Sequence, residues 1–193
     1  MLEELDPGSK SLAKPFVASL NLTDAAGSHL DGAVNVRRYL DRLLEAGLPG
    51  DVVDIIARAL PGQLAVAWCC ECVRAGLESA GPAHEAERAA VALAEQCMQE
   101  PSDEIRQLCL EFAERARRRT PGAWLVTAAA WADGALSPPG AATKVPTPPE
   151  ATAAAVAAAL KLAAARAGAA EAARLHTYAK RALDVFGPRP VHR

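Results

Sequence analysis

Cysteine is the residue type through which this chain has most chemistry to offer. Cys69, Cys70 and Cys72 crowd one segment, and Cys97 and Cys109 stand alone on two later ones. Cys69 and Cys72 are three positions apart, so on a helix they share a face. If the segments bearing Cys97 and Cys109 lie beside that face, four thiols converge. Such a group suits a soft metal: copper(I), zinc or an iron–sulfur cluster. A thiol-based metal-binding or redox protein using Cys69, Cys72, Cys97 and Cys109 is therefore one reading. The competing reading is packing, because free cysteine is a small apolar core residue and all three segments carry apolar stripes. Tetrahedral thiolate sites also come more often from loops and C-x-x-C knuckles than from a helical C-C-x-C. The expectation is buried, reduced thiols and no metal.

Other chemistries find less support. His29, His84, His176 and His192 are scattered, and His84-Glu85 lacks the second histidine of a zincin helix. The sequence holds no glycine-rich phosphate loop, nucleophile elbow or paired-carboxylate pattern. No catalytic residue and no cofactor are expected, and the chain is not read as an enzyme. Arg115, Arg117, Arg118 and Arg119 form a basic knot where an anion or an acidic partner could dock. Cations at a helix C-terminus complement its dipole, however, and Glu111 and Glu114 lie within pairing distance on the same helix. A solvated helix end is the expectation there. Trp124 and Trp131 are two turns apart on one face and could line a groove; like Trp68, they are expected in the core.

The elements that would position these residues are helical. Val36, Leu40, Leu43 and Leu44 share a face with Tyr39 beside them, and Gly47 provides a left-handed stop. Asp51 is the expected cap of the next helix, whose stripe is Val52, Ile55, Ile56, Ala59 and Leu60. Pro61 opens a third helix that runs through Trp68 to about Ser79. Gly81-Pro82 punctuates, and Ala86, Ala90, Leu93, Ala94 and Cys97 mark a fourth. Ser102 caps a fifth, striped by Ile105, Leu108, Cys109, Phe112 and Ala116. Thr120-Pro121 starts a sixth, and Thr147 with Pro148 a seventh bearing Val156, Leu160, Ala163 and Ala164. The last carries Leu175, Tyr178, Ala179, Ala182, Leu183 and Phe186 and stops at Gly187-Pro188. No alternating β-branched run long enough for a sheet occurs. The fold expected is all-α, a compact bundle of about seven to eight amphipathic helices. Residues 31–187 would form a single domain, residues 1–30 an irregular arm and residues 188–193 a tail.

Composition sets the outer limits. The 193 residues are 51% hydrophobic but only 4% aromatic, with alanine supplying much of the apolar count. Alanine favours helices. A formal net charge of −2 lacks the basic excess of a nucleic-acid binder. The acidic start, Met1-Leu2-Glu3-Glu4-Leu5-Asp6, has neither the basic end nor the apolar core of a signal peptide. No stretch suits a membrane span, Ala151 to Ala165 being too short. Five cysteines without a leader are what reduced cytosolic thiols look like, so a cytoplasmic location is expected.

One connection is long. Residues 133–149 are rich in proline, and a connection of that length without its own secondary structure is usually functional or disordered. Pro138, Pro139 and Pro146 limit its conformations, and Leu136 and Val145 are expected to anchor its two ends against the body. Leu136, Pro138, Pro139, Val145 and Pro146 are the candidate partner-binding residues.

Three blocks of sequence carry a resemblance. Ala59-Leu60-Pro61-Gly62-Gln63-Leu64-Ala65-Val66-Ala67-Trp68 resembles the A-L-P-x-x-x-A-V-x-W stretch of an uncharacterised all-helical bacterial family. Tyr39 to Gly47 upstream and Trp131 to Pro139, with its W-x-x-G-x-L-x-P-P spacing, extend the likeness over most of residues 35–187. Charged residues usual after the A-L-P are replaced here by Gly62, Gln63 and Leu64, and a frequent preceding Trp by Ala67. The resemblance implies a helical fold and an accessory role near secretion-system genes, type VI secretion among them; it implies no activity. The functional expectation is thus a non-enzymatic cytoplasmic adaptor that binds a protein partner, without nucleic acid or membrane.

Overall fold

Side chains at the helix ends explain where the elements begin and stop. Ser102 Oγ accepts from Ile105 N at 3.2 Å, and Thr120 Oγ1 accepts from Ala123 N at 3.2 Å, each filling an orphan donor of a first turn. Gly47 closes a helix at φ +75°, a backbone that costs glycine nothing. The computed structural model describes residues 13–20, 22–30, 36–78, 84–132, 136, 137, 143 and 145–186. Among them are ten α-helices: α1 (Ala13–Ala18), α2 (Asp24–Ser28), α3 (Val36–Glu45), α4 (Pro49–Ala59), α5 (Gly62–Glu78), α6 (Glu85–Gln99), α7 (Asp103–Arg115), α8 (Pro121–Ala132), α9 (Pro149–Ala165) and α10 (Glu171–Phe186). A 3-10 turn, Gly168–Ala170, precedes α10. Among the described residues extended pairing is limited to a bridge at Pro146, so the fold is all-α. No helix of the described residues is long and apolar enough to cross a membrane.

The helices group into two units. The first comprises residues 1–56 and 172–193 and so holds α1 to α3, most of α4 and nearly all of α10. Its polar centre is Asp51, only 6% exposed, whose carboxylate accepts from Thr23 N at 2.8 Å and from Thr23 Oγ1 at 3.0 Å. Thr23 Oγ1 in turn accepts from Ala26 N and caps α2. The buried Tyr39 hydroxyl donates to Ala26 O at 2.8 Å. Burial, and then the negative charge of Asp51, raises the Tyr39 pKa and keeps that donor protonated. Two sequence expectations change here. Asp51 lies in the first turn of α4, which begins at Pro49, and caps nothing in its own helix; it holds α2 in place. Within residues 1–30, Ala13–Ala18 and Asp24–Ser28 are helical.

The second unit, residues 57–171, is built around α8. Pro121, Gly122, Ala123 and every residue from Leu125 to Ala130 are buried. A helix apolar on all sides is a central helix, and α8 packs against α5, α6, α7 and α9. Alanine-rich α9 buries Ala155, Val156, Ala159, Leu160 and Ala164 along its length. Short side chains let these backbones approach closely. A methyl placed on Gly122 would stand 2.6 Å from Ala90 Cβ, nearer than real carbons come. Thr127, wholly buried in α8, satisfies its hydroxyl on Ala123 O at 2.8 Å.

Particular stripe positions shift from the sequence reading. On α6 the buried positions are Glu87, Ala90, Val91, Ala94 and Cys97, and Ala86 is exposed. On α7, Leu108 is 48% exposed, Cys109 is buried as its stripe position implies, and Ala113, outside the expected stripe, is buried as well. Trp68 is buried, whereas Trp124 and Trp131 keep part of their surface open. The start of α9 falls one residue later than expected, with Pro148 as N-cap and Pro149 at the first position. Gly81-Pro82 and Gly187-Pro188 lie outside the described residues.

Candidate functional site

The loop after α8 is held at its stem by backbone bonds rather than by apolar anchors. Leu136 N donates to Val145 O at 2.8 Å, and Val145 N donates to Ser137 Oγ at 2.8 Å. Arg106 on α7 ties this stem to the body. Its Nε donates to Ala130 O at 3.1 Å, its Nη2 to Ser137 O at 3.3 Å and its Nη1 to Asp103 at 3.0 Å. One planar fork thereby links the last turn of α8, the loop and the start of α7. The Leu136 and Val145 side chains, expected to anchor the loop, point out instead: they are 38% and 50% exposed. Pro146 is exposed as well. Pro138 and Pro139 lie outside the described residues. The sequence reading missed Arg106, which is polar between apolar Ile105 and the next turn and looked like ordinary helix surface.

The thiols do not meet as a single group. Cys69, wholly buried, lies with Sγ 3.9 Å from Val156 O of α9. Cys109 of α7 pairs with the Cys97 thiol of α6 and approaches Leu93 O at 4.0 Å. All five cysteines are buried and none is in a disulfide. Among the described residues no three or more His, Cys, Asp or Glu side chains are arranged to hold a metal ion. The convergence of Cys69, Cys72, Cys97 and Cys109 that a metal site requires is not formed. Burial first, then neighbouring thiols, raises the Cys69 pKa; burial and the Glu95 charge push Cys70 up to about 12. The hydrogen bond with Cys97, then burial, raises Cys109. Thiols held protonated in this way are poor nucleophiles.

A cleft of about 290 Å³ opens beside α5 and α6, with Leu77 and Val91 in its wall and Arg74, Glu78, Arg88 and Glu95 around them. Arg74 and Glu95 form an ion pair there. Opposite charges within one cleft leave it without a net preference for a charged ligand.

Charge is concentrated at the start of α8 in two forms. Glu87, 6% exposed, accepts from Gly122 N at 2.7 Å and from Arg166 Nη2 at 2.9 Å. Its carboxylate therefore fills the first turn of α8, where the helix dipole favours an anion, and ties in the end of α9. The sequence signal for it was slight: Glu87 sits three positions before Ala90 and seven before Ala94, on the apolar stripe itself. Just before α8, the basic knot forms a tight turn. Arg117 and Arg118 adopt φ +49° and +48°, and the turn is closed by Arg117 N to Glu114 O, Arg118 N to Ala113 O and Arg119 N to Ala116 O. Two successive non-glycine residues in the left-handed region cost about 1–2 kcal/mol each. The expected neutralisation by Glu111 and Glu114 is not made. Arg115 Nε donates to the Glu111 carbonyl, and the Glu111 carboxylate accepts from Gln107. Among the described residues no carboxylate pairs with Arg117, Arg118 or Arg119.

A family described as a family of unknown function (DUF6931) matches residues 39–186, close to the range over which the sequence blocks suggested an uncharacterised helical family. No curated protein and no solved structure matches the chain.

Proposed function

We propose that this chain, which belongs to the family of unknown function DUF6931, is a non-enzymatic cytoplasmic accessory protein that docks a protein partner. The docking face is the stem of the 133–149 loop. One observation carries the reading: Leu136 and Val145 present apolar side chains to solvent from a backbone already fixed by Ser137 and Arg106. Single exposed apolar residues are ordinary on protein surfaces. Here two stand together on paired backbone, with exposed Pro146 beside them, and the conformation is set before any partner arrives. Pre-set geometry lowers the ordering cost of association. Association with a secretion system is supported by the sequence resemblance, whose members sit near such genes.

Affinity purification from native cells tests this, comparing the intact chain with Leu136→Asp/Val145→Asp. The expected result is a partner recovered with the intact chain and lost with the variant, while both melt alike. A partner retained by the variant sinks the loop-stem reading.

A further inference from the structure

We propose that the turn after α7 is a docking point for an acidic protein segment, a run of Asp and Glu side chains held by Arg117, Arg118 and Arg119. The inference deepens the adaptor reading and rests on it for the existence of a protein partner. Three features of the turn converge. Its guanidiniums have no carboxylate partner among the described residues, although Glu111 and Glu114 are near in sequence. Its backbone is fixed by three hydrogen bonds, so the side chains spread from a rigid base. It keeps arginine at two left-handed positions where glycine would be less strained, so the side chains themselves are what the turn presents.

The neighbouring groups narrow the ligand. The amides opening α8 are already engaged, Gly122 N by Glu87 and Ala123 N by Thr120. An incoming anion therefore meets guanidiniums and no helix N-terminus. Planar forks suit carboxylates, which they grip with two parallel bonds. A single carboxylate in water gains little from one exposed cation, so a segment offering several is required. Glu111 and Glu114 on the adjoining helix face, and a net charge of −2, disfavour a long polyanion and leave a short acidic stretch.

The test is fluorescence anisotropy with an end-labelled octaglutamate peptide and the full chain at low ionic strength. The intact chain should bind, with affinity falling as salt is added. Arg117→Gly/Arg118→Gly/Arg119→Gln should bind roughly tenfold more weakly or worse, with its helical circular dichroism unchanged. Leu136→Asp/Val145→Asp should bind the peptide as the intact chain does. No binding by the intact chain, equal binding by the arginine variant, or loss in the loop-stem variant would each overturn the assignment. So would a single-stranded oligonucleotide of equal charge that binds more tightly and depends on the same arginines, since the turn would then serve nucleic acid. The assay needs no native partner, so failure of the adaptor reading registers only in the purification experiment.

Discussion

Glu87 and the Arg117–Arg119 turn flank the start of α8, and the protein treats their charges in opposite ways. The carboxylate is buried and engaged twice, on Gly122 N and on Arg166. Arg117 and Arg119 are exposed and Arg118 is half-buried, and none of the three engages a carboxylate of the described residues. One charge completes the architecture: it satisfies a helix end inside a packed unit. The other contributes at most a small interaction with the α7 dipole, and the backbone beneath it is strained. Buried charge speaks for stability, and unpartnered charge on a fixed turn speaks for something outside the chain.

The largest effect expected from this contrast is at Glu87. Glu87→Ala strands the Gly122 amide without its acceptor, leaves a void beside Ala90 and frees Arg166. Breaking a buried pair costs about 3–5 kcal/mol; with Arg166 38% exposed the pair is partly screened, so a loss near about 3 kcal/mol is expected in urea unfolding. A loss no larger than that of an exposed glutamate such as Glu104 would erase the distinction between the two sites. Next in size is Gly122→Ala. Its methyl would meet Ala90 Cβ at 2.6 Å, a contact fixed by two helix backbones, and would press on the Glu87 carboxylate at 2.7 Å. Overpacking of this kind costs about 1–3 kcal/mol, read as a lower denaturation midpoint at unchanged m-value.

The buried side of the comparison also responds to pH through Cys70. Its thiol titrates near 9.0 when unfolded and is held to about 12 when folded. Below pH 9 both states carry the proton and stability is unaffected. Above it the unfolded chain releases the proton while the folded one keeps it, so stability falls by about 1.4 kcal/mol per pH unit as pH rises toward the folded value. Cys70→Ala should make the alkaline slope shallower, with the part due to Cys69 and Cys109 remaining. An identical slope in the variant would show that Cys70 does not feel the burial described here.

Sequence made the helices legible because their caps and stripes are local: Ser102, Thr120, Gly47 and the Val156–Leu160 face are all where their spacing puts them. It misled where a tertiary neighbour decides. Leu108 fits the α7 stripe yet points outward, and Glu87 breaks the α6 stripe yet points inward, because α8 offers an amide at that depth. The four-thiol group did not form for the same reason, since shared apolar character put each cysteine in the core and brought Cys97 only to Cys109. Of the loop stem, Leu136, Val145 and Pro146 were legible as candidates, while the Arg106 tie that fixes the backbone under them depends on a neighbouring helix. At the basic knot the residues were visible and the left-handed turn was not, because arginine carries no signal for positive φ.

That turn provides the smallest and most discriminating effect. Arg117→Gly/Arg118→Gly removes two left-handed side-chain conformations, worth about 1–2 kcal/mol each in strain. Glycine returns about 0.5–1 kcal/mol of that through its greater freedom when unfolded. Loss of cations from the end of α7 removes a further few tenths, about 0.3–1 kcal/mol at low salt. Counted over both residues at mid-range values, the strain relieved exceeds the two losses by about 1 kcal/mol, so a variant about that much more stable than the parent is expected, read as a raised urea midpoint. Stability and binding would then move in opposite directions at the same two residues. A less stable variant would mean that Arg117 and Arg118 serve the α7 dipole, and both charged places at the start of α8 would be architecture.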